Sequence, residues 1–180
     1  MPYRLLLFLL LGLAACSKAD SDPIVDFGEG EGISYRTSNN FPVGPQDPTD
    51  WTLDGDWNKQ ERALFSDLGL DLNGTRQSAP VFYTSAYPNP SASGHATWSI
   101  QPYYPTSGSV ATYTVRAVLV SRKYEVMLQI GPRNFVSGAA YSFDYLHAGL
   151  SPNELYRLYY VVYNPSGLLY KGHGDVRYSE

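Results

Sequence analysis

The stretch "LYRLYYVVYNPSGLLYKGHGDVRY" (residues 155–178) decides the fold. Residues 155–163 are apolar on both parities except at Arg157, whereas a strand with one wet face alternates apolar and polar side chains. That marks a central strand covered on both faces. Asn164-Pro165-Ser166-Gly167 follows, a cluster of turn formers, and residues 168–178 then read as the return strand of a hairpin.

Working back along the chain, period-two alternation holds from Pro80 onward. "HATWSIQ" (95–101) sets Ala96, Trp98 and Ile100 against Thr97, Ser99 and Gln101. "VATYTVRAVLV" (110–120) sets Tyr113, Val115, Ala117 and Leu119 against Thr112, Thr114 and Arg116. "KYEVMLQI" (123–130) sets Tyr124, Val126, Leu128 and Ile130 against Lys123, Glu125 and Gln129. Short strands parted by Pro/Gly turns, with 14 of the 16 tyrosines beyond residue 80, predict a mostly β chain. The expected fold is an antiparallel, immunoglobulin-like β-sandwich over about 76–180. In front of it, Trp57, Glu61, Leu64 and Leu68 fall on one helical stripe. They predict a short helix over about 57–66, capped by Asp54 or Asp56.

The first fifty residues differ in kind. Arg4 precedes an apolar run over residues 5–15, too short for the about 20 residues that span a bilayer. A basic start, a short apolar stretch and small residues read as a secretory signal. Residues 16–50, rich in Gly, Ser, Asn, Asp and Pro, read as flexible tether and irregular wrapping, leaving 51–180 as a single domain. The chain's one cysteine, Cys16, rules out an internal disulfide, so packing alone must hold the domain.

Leu13-Ala14-Ala15-Cys16 resembles the lipobox of bacterial lipoproteins. The resemblance implies cleavage after residue 15, lipidation of Cys16 and a membrane partner reached through that lipid anchor. The other reading is a plain secretory leader with an incidental thiol. Each buried acyl methylene contributes about 0.8 kcal/mol, so several chains hold a protein at a membrane without a spanning helix. Ser17 beside the cysteine is the usual situation for outer-membrane sorting, on the periplasmic or the cell-surface face. Lys18-Ala19-Asp20-Ser21-Asp22 is similar to the surface-export tether of Bacteroidetes lipoproteins, or is simply a solvated acidic linker.

"SAYPNPSASGHATWSI" (85–100) faintly resembles the start of the type IX secretion sorting domain, an immunoglobulin-like sandwich of the same bacterial group. A sorting domain ends a longer cargo protein, so here Pro88 and Pro90 are read as structural, holding a link between two strands extended. The whole chain is similar to small bacterial lipoproteins of the Bacteroidetes type. That resemblance carries no activity with it.

Chemistry has few places to reside. His95 shares a parity with Thr97 and should face water, while His147 shares the buried parity of Phe143 and Tyr145. His173 and Asp175 sit two apart on one strand and so point the same way; the carboxylate could orient the imidazole, or both could join a metal. The alternative is that Gly172 and Gly174 mark a bulge or a close backbone approach. Asp54, Asp56 and Asn58 match three calcium positions of an EF-hand loop, but Lys59 replaces its glycine and Phe65 its terminal Glu. That removes the EF-hand and leaves open only a looser oxygen-rich calcium site near Asp54 and Asp56, involving Asp47 or Asp50. No nucleophile elbow and no phosphate loop is present, so no catalytic residue, metal or cofactor is expected.

The formal charge of −4 argues against nucleic acid. It is uneven: residues 1–75 hold 12 acids and 5 bases, residues 76–180 hold 5 and 8. Aromatics are the remaining signal. Trp57 and Trp98 fall on inward stripes, and Trp51, Tyr103 and Tyr104 are the outward candidates for ligand binding. The expectation is a non-enzymatic interaction or envelope-structural protein whose partner is another envelope protein, with a glycan-binding module as the alternative.

Overall fold

The computed structural model describes residues 23–28, 32–103 and 111–180. The leader, Cys16 and Tyr104 lie outside the described residues. The chain is mostly β, with antiparallel sheets and one short helix. Its elements are β1 (Thr52–Leu53), α1 (Lys59–Ala63), a 3₁₀ turn (Ser66–Leu68), β2 (Val81–Tyr87), β3 (His95–Tyr103), β4 (Tyr113–Val120), β5 (Val126–Phe135), β6 (Ala139–Asp144), β7 (Leu155–Asn164) and β8 (Gly167–Arg177). One sheet runs β1-β8-β7-β4-β5 and the other β2-β3-β6.

Strands β4 and β7 lie inside the larger sheet; β7 is apolar on both faces except at Arg157, and β4 is so from Ala117 to Val120, so the sheet must be covered twice. Toward the smaller sheet, β7 sends Tyr156, Leu158, Tyr160 and Val162 into a core with Trp98, Ile100, Val115 and Phe143. The Trp98 ring stacks on Tyr141 at 5.4 Å and tilts against Tyr160 at 5.5 Å. On the opposite face, Tyr159 and Val161 join Val118 and Val120 in a second core with Val25, Phe27, Trp57, Phe65 and Leu72. The fold therefore has three layers, the third being a strap formed by residues ahead of β2. Burying one such large side chain contributes about 1.5–3 kcal/mol, so the strap is held by more than its few hydrogen bonds.

This alters the reading of residues 16–50. The described part does not hang free: Val25, Phe27, Ile33 and Ser34 are buried, and Val25 N–H donates to the Arg122 carbonyl at 2.7 Å. It is the irregular wrapping, docked without periodicity.

The helix is shorter than the predicted 57–66, and its cap is neither Asp54 nor Asp56. Asn58 Oδ1 accepts from the Gln60 and Glu61 N–H groups, and Glu61 Oε2 accepts from Asn58 N–H at 2.7 Å, a closed capping box. Phe65 leaves helical geometry at φ −127° so that its ring can stack on Trp57 at 5.4 Å.

Two strand readings also shift. β5 begins at Val126 because residues 121–125 form a turn, with Tyr124 N–H donating to the Ser121 carbonyl; Val126, expected inward, is exposed on this bulged edge strand. β6 ends at Asp144, whose carboxylate accepts from His147 N–H at 2.9 Å, so His147 turns outward instead of continuing the buried parity. His95 is exposed, as its parity predicts.

The Tyr87–Pro90 stretch links β2 to β3, and both of its X-Pro bonds are cis. Asn89 at its centre is 1% exposed. Its amide donates to the Ser34 and Asp175 carbonyls at 3.3 and 2.8 Å and accepts from Arg177 N–H at 3.1 Å, clamping strap to β8.

Candidate functional site

Lys171, His173 and Asp175 alternate with Gly172 and Gly174 along β8. The three side chains lie beneath the strap. His173 Nδ1 donates to the Asp54 carboxylate, with distances of 2.8 and 2.9 Å to its two oxygens. Asp175 is 2% exposed and accepts both Nε and Nη2 of Arg157 at 2.7 Å, a bidentate pair. The proposed His173–Asp175 pair therefore does not form. Shared orientation brings them to one side of the strand, but each is held by a different partner.

A second carboxylate joins that pair. Asp50 accepts from Asp175 N–H at 2.6 Å and from Ser34 N–H at 2.7 Å. Its pKa is pushed up to about 7, first by burial and then by the Asp175 charge, against the pull of those N–H groups. Arg157 holds its proton more tightly than usual: burial opposes its charge, and the hydrogen bonds and charge of Asp175 outweigh that. Arg157 is bonded to Asp175, and Asp50, beside that second carboxylate, is the acid pushed toward protonation near neutrality. Asp50 ties Ser34 of the strap to Asp175 of β8, whereas the Arg157–Asp175 pair joins β7 to β8 within the sheet.

Asp54 is likewise spent within the fold, since Trp57 Nε1–H donates to it at 2.6 Å beside His173. The nearby Lys171 is buried, and its ammonium donates to Asn73 Oδ1 at 2.9 Å and sits 5.1 Å from the centre of the Trp57 ring. Among the described residues, no three His, Cys, Asp or Glu side chains gather as a metal-binding cluster.

The aromatic candidates separate. Trp51, expected outward, is half-buried and packs against the core between the sheets. The bare Cα of Gly174 leaves the slot its indole fills, while Gly172 lies against the Thr52 carbonyl and the Tyr160 hydroxyl. The glycines that flank His173 are thus sites of close approach. Tyr103 does face outward, 49% exposed, and meets Tyr83 of β2, 53% exposed, with ring centres 5.4 Å apart. Val81, opposite Tyr103 in the β2–β3 register, extends the same exposed patch.

Beside Tyr83 the outer face of the smaller sheet holds a recess of about 280 Å³ lined by Arg36, Asn40, Thr84, Ser85, Ser99 and Gln101. Its floor is a hydroxyl and amide network: Ser85 Oγ donates to Asn40 Oδ1 at 3.1 Å and lies 3.2 Å from Ser99 Oγ. Arg36 Nη1 donates to the carbonyl and Oδ1 of Asn40, both at 3.1 Å. Sequence reading missed Tyr83, Arg36 and Asn40. The first lies in a strand whose residues 84–86 are all buried, which breaks the alternation. The other two lie in the strap turn, brought here by an antiparallel bridge between Arg36 and Asn89.

Comparison of the chain with family models, with curated proteins and with solved structures finds no match.

Proposed function

We propose that this chain is a lipid-anchored outer-membrane protein that works by binding, without catalysis of its own, and that the outer face of β2-β3-β6 is its recognition surface. The anchor would be Cys16, and the partner another envelope component. One observation carries the reading: Val81, Tyr83 and Tyr103 are exposed together on that face, next to a polar recess. Tyrosines in such positions offer a large contact area with a polar tip, the composition favoured at recognition surfaces. The groups that could have done chemistry are engaged within the fold, His173 by a hydrogen bond to Asp54 of the strap and Asp175 by the Arg157 guanidinium of the neighbouring strand.

The experiment compares wild type, Cys16→Ala and Tyr83→Ala in intact cells. Metabolic labelling with an alkyne palmitate should mark wild type and not Cys16→Ala. Mild crosslinking should yield a complex that Tyr83→Ala loses while the melting temperature holds. A complex that survives Tyr83→Ala, or label retained by Cys16→Ala, sinks the corresponding half of the proposal. A glycan-binding module is the second reading, and the recess is the observation that favours it.

A further inference from the structure

Resting on the reading of that face as the binding surface, we infer that the recess beside Tyr83 is a site for an acidic saccharide, a sugar ring bearing a carboxylate. Its volume of about 280 Å³ falls just below that of drug-sized ligand sites, roughly 300–1,000 Å³. That is room for a sugar ring, not for a folded segment. The lining suits such a ring. Ser85, Ser99, Asn40 and Gln101 offer hydroxyls and amides that both donate and accept, as sugar hydroxyls require. Tyr83, half exposed at the rim, gives the apolar face of a ring an aromatic partner, and Tyr103 lengthens that platform.

Charge selects the acid. Arg36 is the one charged residue in the lining, and the recess holds neither Asp nor Glu, on a chain of formal charge −4. Asn40 fixes the guanidinium through two hydrogen bonds, so little side-chain freedom is lost when it meets a ligand. Arg36 Nε is buried and its Nη1 is engaged by Asn40, so a ligand in the recess meets the guanidinium through Nη2. A hydrogen bond from a charged guanidinium to a carboxylate is stronger than one to a neutral hydroxyl.

The full chain, purified in detergent, is titrated calorimetrically with a galacturonic acid trisaccharide and with the galactose trisaccharide of the same linkage. The acidic sugar should bind tighter by about 10-fold or more, the range a charged hydrogen bond supplies. Tyr83→Ala should abolish both. Arg36→Gln should bring the two sugars to within about 2-fold by removing that charged contact, and Arg36→Lys should restore part of the preference. Equal binding of the two sugars by wild type overturns the assignment of charge. No binding of either by folded wild type overturns the saccharide site altogether. If the crosslinked complex still depends on Tyr83 in that case, the face binds a protein, so the two failures are told apart.

Discussion

The backbone N–H of Asp175 donates to Asp50 at 2.6 Å while the carboxylate of Asp175 is held by Arg157, so the strap and the sheet share one buried, charge-starved cluster. Asp50 rises from 3.8 to about 7 on folding, by burial first and by its acidic neighbour second. The folded state therefore binds more protons than the unfolded chain between these values. Stability from Asp50 is complete below about pH 4 and is lost as the pH rises through 7, at up to about 1.4 kcal/mol per pH unit. Urea denaturation at pH 5 and pH 8 should show wild type losing stability relative to Asp50→Asn across that interval. A parallel response of the two proteins contradicts the assignment.

The glycine pair on β8 gives a steric prediction. A methyl group at 174 would fall within the Trp51 indole, and one at 172 would meet the Thr52 carbonyl and the Tyr160 hydroxyl. Neither glycine has positive φ, so the whole cost is overlap. Gly174→Ala should destabilise by about 1–3 kcal/mol and shift the tryptophan emission as the indole is driven from its slot. Trp51→Ala made together with Gly174→Ala should cost less than the sum of the two changes. Additive costs in thermal melts would show that the contact does not matter.

How far the sequence could be read follows from where each signal resides. The hairpin 155–178 was legible because apolar residues on both parities admit one reading, a strand covered on both faces. What covers the second face was not legible. Val25, Phe27, Trp57 and Phe65 come from a Gly- and Asp-rich strap with no period, and only the need to cover Tyr159 and Val161 gathers them. Of the site, Tyr103 was visible as an aromatic beside prolines. Its neighbour Tyr83 depends on the β2–β3 register, which places Tyr83 opposite Gln101. For His173 and Asp175, spacing gave the shared face. Their true partners, Asp54 and Arg157, lie 119 and 18 residues away, beyond any local pattern.

Asn89 should be the most sensitive polar residue of the link between β2 and β3. Its side chain joins Ser34, Asp175 and Arg177 through three hydrogen bonds at 1% exposure. Asn89→Ala orphans buried backbone groups at about 1–3 kcal/mol each. Asn89→Asp should cost at least as much, because a carboxylate would replace the donor that faces two carbonyl oxygens. Chemical denaturation checks the order, and an Asp variant as stable as wild type would contradict the clamp.

Whether His173 and Asp175 act together is settled by comparing their variants. Asp175→Ala leaves the Arg157 guanidinium buried and unpaired, which costs about 3–5 kcal/mol. His173→Ala removes the hydrogen bond to Asp54 and a ring contact with Tyr159 at 6.0 Å, and should cost about 1–2 kcal/mol. The two are held by different partners and interact only through charge across Gly174, so the double variant should depart from the sum by less than either single cost. A large coupling energy in that cycle would mean that imidazole and carboxylate do work as one unit, and the charge pairs beneath the strap would then have to be reconsidered as a site.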